Sequence, residues 1–160
     1  MEGNRMDYSA RAVLRIVKPI SEVFEAVVNP VKLCHYFTDY ASGRLEPNRI
    51  VQWRFDEYES TPKVQVIEVI PEEKIVFLWP GSGVEGMVTM RFEAENDSTK
   101  LSIVEEGLGM GVDGFERSRG QTFGWTFMLC CLKAYMEYGI NLRKSGMGDI
   151  REVDQGPYCQ

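Results

Sequence analysis

The segment EEGLGMGVDGFERSRGQ, residues 105–121, carries two patterns that could do chemistry. Gly109, Gly111 and Gly114 match G-x-G-x-x-G, the spacing with which a strand-to-helix turn cradles a pyrophosphate. Glu105 falls in phase with Leu101 and Ile103, so its carboxylate should point inward near a strand end. A buried carboxyl has a raised pKa and can orient a ligand or serve as a general acid or base. At a wet strand end the same residue is merely solvated, and the sequence leaves both open. The glycine pattern fails on context. Nucleotide binding needs a βαβ unit with parallel strands, whereas this strand closes an antiparallel run, and no later strand carries a ribose-binding acid. The loop over residues 107–120 reads instead as a mobile lid over a pocket mouth, with the helix after it starting near Arg119 or Gln121.

Other reactive side chains are sparse. His35 is the only histidine, and its neighbour Cys34 points elsewhere on a helix. Cys130 and Cys131 are adjacent and Cys159 is in the tail, so no cysteine set has metal-ligand spacing. No Ser-His-Asp or Cys-His arrangement emerges. No catalytic residue, metal or cofactor is therefore assigned. Glu68 has an ambiguous facing, and Arg54 and Arg91 fit the outer sheet face. A net charge of −6 without a Lys/Arg-rich stretch argues against nucleic acid and anionic membranes as partners. No apolar run reaches the ~18 residues of a membrane span, and the N-terminus has no apolar leader, so the expected location is cytoplasmic.

The elements that must position these residues follow from periodicity. Residues 8–17 alternate as a half-buried strand, and Pro19 ends it. SEVFEAVVN reads as a short helix with Ser21 as its cap, and Pro30 opens a second short helix, VKLCHYF. From about residue 40, six strands separated by short turns must pair as antiparallel neighbours. The last helix, with GWTFMLCCLKAYMEYGINLR at its heart, is apolar around most of its circumference. A helix on a flat sheet needs an apolar arc of only ~100°. A sheet curved around the helix explains the excess.

Strand faces offer Trp53, Phe55, Phe77, Trp79, Met90 and Phe92 to that helix, which answers with Trp125, Met128, Leu132 and Tyr135. With Tyr36 and Glu105, these are the expected ligand-binding residues. A filled core would read the same way, but bulky aromatics facing a helix across a curved sheet can also line an apolar pocket.

The stretches ISEVFEAVVNPVKLCHYF, PEEKIVFLW, TKLSIVEEG and GWTFMLCCLKAYME, in this order, resemble the START/Bet v superfamily, also called the helix-grip or SRPBCC fold. Within it they are similar to the activator of heat-shock-protein-90 ATPase homologue-like family. The resemblance covers residues 8–143. It implies an α+β helix-grip fold: a curved antiparallel sheet of six to seven strands around a long C-terminal helix, two short helices after the first strand, and a pocket between sheet and helix. One domain is expected over residues 1–143, with a polar tail at 144–160. Two departures stand out: Tyr36 and Phe37 occupy a segment where relatives carry Trp, and the loop before the last helix is rich in glycine. The first functional expectation is binding of a small hydrophobic or amphipathic molecule. The second, from resemblance alone, is a co-chaperone-like module that contacts a chaperone and stimulates an ATPase. A cyclase- or hydrolase-type enzyme ranks third, because few polar groups converge.

Overall fold

The computed structural model describes residues 7–147. The chain runs β1 (Ala10–Ile16), α1 (Ile20–Val28), α2 (Pro30–Leu33), β2 (Tyr40–Ala41), β3 (Ile50–Arg54), a single 3-10 turn (Asp56–Tyr58), β4 (Lys63–Ile70), β5 (Lys74–Trp79), β6 (Gly86–Glu95), β7 (Ser98–Glu106), α3 (Gly111–Tyr138) and α4 (Leu142–Met147). All seven strands form one antiparallel sheet in the order β1-β7-β6-β5-β4-β3-β2. The sheet curls around α3, as the helix-grip expectation requires.

Strict alternation sets the faces. Val51, Trp53, Val64, Val66, Val88, Met90, Phe92, Leu101 and Ile103 are all buried toward the helix. The ambiguous phase around Glu68 has a local cause. The β4–β5 register shifts between Val66 and Glu68, so the inward phase changes across the bulge. Glu68 ends on the surface, paired with Lys74 at 2.8 Å.

The open edge of β1 is closed by side chains of α3. Ser118 Oγ donates to the Ser9 carbonyl (2.7 Å), Lys133 Nζ donates to the Arg15 carbonyl (2.8 Å), and the Val17 N–H donates to Glu137 Oε2 (3.1 Å). These bonds occupy backbone groups that an edge strand would otherwise present for pairing with another chain.

Two sequence expectations differ from the structure. Helix α1 starts at Ile20 after Pro19, and no side chain caps it, so Ser21 lies within its first turn. Helix α3 starts at Gly111, not near Arg119, so most of the expected lid is helix. The short turn before α3 is pinned as well: the Tyr8 N–H donates to the Gly109 carbonyl (2.8 Å), and Leu108 is buried. Gly109 and Gly111 take positive φ (87° and 69°), which glycine adopts without strain. Gly114 is needed for closeness, since a Cβ there would lie 2.3 Å from the Gly109 carbonyl oxygen. The glycine spacing thus serves a tight helix start. Gly139 (φ 67°) stops the helix, and its N–H donates to the Tyr135 carbonyl at 2.9 Å. Asn141 Oδ1 then accepts from the Lys144 N–H (3.1 Å), which caps α4. Residues 148–160 of the expected polar tail, including Cys159, lie outside the described residues. No helix among the described residues is long and apolar enough to cross a membrane.

Candidate ligand-binding site

Six aromatic rings meet where the C-terminal strand ends face α3. Phe37, Trp53, Phe55, Phe77, Trp79 and Trp125 form a network with centroid separations of 5.1–6.3 Å, mostly edge-to-face or tilted. Such geometry satisfies the ring quadrupoles and packs densely. The rings fill most of the space that the sequence could have assigned to a large cavity. What remains is a pocket between Phe37, Phe55, Trp79, Trp125, Phe127 and Arg143, with a cavity volume of about 20 Å³. One water needs ~10–15 Å³ by this measure, so the pocket is a slot in its present shape. Its rim is soft: Phe123 also lines it and is 49% exposed.

The slot has a cationic wall. The Gly139 stop turns the chain so that α4 carries Arg143 back over the rings. Arg143 is buried, with its guanidinium 5.2 Å from the Phe55 ring centroid, 5.6 Å from Phe37 and 6.0 Å from Tyr58. Its Nη2 donates to Glu57 Oε1 in the 3-10 turn. Its Nε is buried and has no hydrogen-bond partner.

Behind the slot sits Glu105. Its neighbours in the sheet are Ala10 on β1 and Val88 on β6, and it is fully buried. Oε1 accepts from Gln121 Nε2 (2.7 Å) and from Trp125 Nε1 (2.8 Å). Oε2 has no partner and lies against Gly86, where a Cβ would come within 2.5 Å of it. Burial pushes the Glu105 carboxyl above its ordinary pKa, while the two hydrogen bonds pull the other way. Gln121 and Trp125 both line the slot, so Glu105 sets the orientation of two wall residues without being part of the wall.

Of the expected ligand-binding residues, Phe55, Trp79 and Trp125 line the slot. Trp53 and Phe77 pack directly behind these rings. Met90, Phe92, Met128 and Leu132 are buried in the surrounding core. Tyr36 is buried too, and its hydroxyl donates to the Ala26 carbonyl (3.0 Å). Tyr135 is half-buried and stacks between Tyr36 and His35. His35 is exposed, and among the described residues no group of three or more His, Cys, Asp or Glu side chains could hold a metal ion. Burial pushes the Cys131 thiol up to about 12, which suits an inert core cysteine. Sequence reasoning missed Phe37, Tyr58, Gln121, Phe123, Gly124, Phe127 and Arg143. Gln121 sits four residues before Trp125 on one helix face and could have been found as the partner of an inward carboxylate.

Solved structures share this architecture. A Staphylococcus saprophyticus protein, SSP2350, is 27% identical over 84% of this chain and 96% of its own, with a TM-score of 0.75. The Aha1 dimer from Colwellia psychrerythraea is 17% identical over 82% of this chain and 97% of its own, with a TM-score of 0.70. CalU16 from Micromonospora echinospora is 18% identical over 80% of this chain and 73% of its own, with a TM-score of 0.66. No curated protein matches the chain. Residues 18–137 match the family described as Activator of Hsp90 ATPase homolog 1-like protein, a span that holds β2–β7, both short helices and nearly all of α3. With the curled sheet, the gripped helix and the aromatic slot between them, that match makes the chain a member of this family, on the START/Bet v-like fold.

Proposed function

We propose that the protein is a cytoplasmic binder of a small amphipathic molecule, which enters the slot between Phe55, Trp79, Trp125 and Arg143. The observation that carries this reading is the slot itself. It is an aromatic recess with an exposed rim and a few placed polar groups, the usual composition of a small-molecule site. The ligand would enlarge the recess by displacing Phe123 and Phe127, which stack on each other at its rim. N-phenyl-1-naphthylamine, a neutral fluorescent probe, should bind with 1:1 stoichiometry and quench tryptophan emission. Gly124→Leu, which places a side chain at the slot, should weaken it at least ~10-fold while leaving the circular dichroism spectrum intact. Non-saturable binding, or equal binding by Gly124→Leu, would refute the reading.

A second reading has its own observation. Val112, Phe115 and Phe123 lie at helical spacing on α3 and are 78%, 46% and 49% exposed. This apolar stripe supports the co-chaperone-like alternative, in which the protein contacts a chaperone and changes its ATPase turnover. Adding the protein to an Hsp90-type ATPase should then raise turnover, and Phe115→Ser/Phe123→Ser should abolish the rise. Unchanged turnover at saturating protein would remove this alternative.

A further inference from the structure

Arg143 is a buried cation in a chain of net charge −6, lines the apolar slot, and leaves its Nε unpartnered. A buried donor without a partner is costly, and a charged one more so. Glu57 accepts from Nη2, the nitrogen that shares an edge of the guanidinium with Nε. The planar guanidinium presents paired N–H groups that match the two oxygens of a carboxylate or the oxygens of a sulfonate. Phe37, Phe55 and Tyr58 pack their rings against that fork, and they provide flat walls for an apolar ring system beside it.

We propose that the slot selects organic anions, flat apolar bodies bearing one carboxylate or similar anionic oxygen group, through the Nε edge of Arg143. This rests on the binding reading and adds the chemical class of the ligand. In the unliganded protein Glu57 holds the cation in place. On binding, the ligand's anionic group takes the unpartnered Nε–H and competes with Glu57 for Nη2 on the same edge. Glu57 is thus a positioning residue that lowers anion affinity.

The test uses two probes that differ by one anionic group: 8-anilinonaphthalene-1-sulfonate and its neutral parent, N-phenyl-1-naphthylamine. The intact protein should prefer the sulfonate by ~10-fold, and the preference should shrink with added salt. Arg143→Gln should bring the ratio of the two affinities to about one. Glu57→Gln should move it the other way, raising sulfonate affinity several-fold. A merely structural ion pair would lose binding in both variants, so the opposite signs are diagnostic, and Glu57→Gln tests the inference even where Arg143→Gln fails to fold. An unchanged ratio in Arg143→Gln, or weaker sulfonate binding in Glu57→Gln, would overturn the inference while leaving the slot intact as a neutral site. If neither probe binds, the binding reading falls and takes the inference with it.

Discussion

Glu105→Ala should destabilise the protein by about 3–5 kcal/mol, because it orphans two buried donors at about 1–3 kcal/mol each and leaves a void. The donors are Gln121 Nε2 and Trp125 Nε1, both 2.7–2.8 Å from the same carboxylate oxygen. Glu105→Gln should behave quite differently. Its amide oxygen can accept both bonds, and it carries no charge to desolvate. The pH dependence separates the two effects. Burial raises the folded pKa of Glu105 above the ordinary 4.5. Between those two values the folded state holds a proton that the unfolded state has released. Stability is therefore full below 4.5 and falls as pH rises through the folded pKa. Glu105→Gln lacks this slope, so it should gain on the parent protein from pH 5 to pH 8. Urea unfolding at the two pH values measures it directly. A constant difference between the two proteins would mean that Glu105 titrates like a solvated carboxyl.

Gly114→Ala should cost about 3 kcal/mol, the upper end of the usual range for overpacking. In an ordinary helix the same change stabilises by up to ~1 kcal/mol, so its sign is the informative part. The added Cβ would sit 2.3 Å from the Gly109 oxygen and 2.5 Å from the Gly109 carbon. Those are backbone atoms, and the oxygen already holds the Tyr8 N–H at 2.8 Å. Relief requires the start of α3 to move off the turn and off β1. Amide exchange should show the consequence: slow over residues 111–118 in the parent protein, faster in the variant. Fast exchange there in the parent protein would restore the lid that the helix replaces.

Much of the fold is legible because strand faces are a local property. Val51, Trp53 and Phe55 alternate with polar residues, and all three are buried as their phase requires. Glu105 could be placed inward for the same reason. The start of α3 is not legible. Its first turns are rich in glycine, which local propensity assigns to a loop. Tertiary closeness at Gly114 overrides that preference. The wide apolar arc implies that protein covers most of the circumference of the last helix, yet Phe123 remains exposed, as do Val112 and Phe115 in its unforeseen first turns. The cationic wall of the slot is hidden more deeply. Arg143 looks like one more charge on a polar helix end. Its partners Phe37, Phe55, Glu57 and Tyr58 are remote in sequence, and only the turn at Gly139 brings it back to them. The size of the pocket could not be read either, since rings that line a void and rings that fill it have the same spacing.

The proposed ligand enters beside Trp79 and Trp125. The chain has three tryptophans, and their indole N–H groups give separate signals in a nitrogen-15 correlation spectrum. Trp79 and Trp125 line the slot, whereas Trp53 packs behind it. Titration with N-phenyl-1-naphthylamine should shift the Trp79 and Trp125 signals saturably and move Trp53 least. Shifts confined to amides around Val112 and Phe115, with all three indole signals stationary, would place binding on the outer face of α3 and contradict the account.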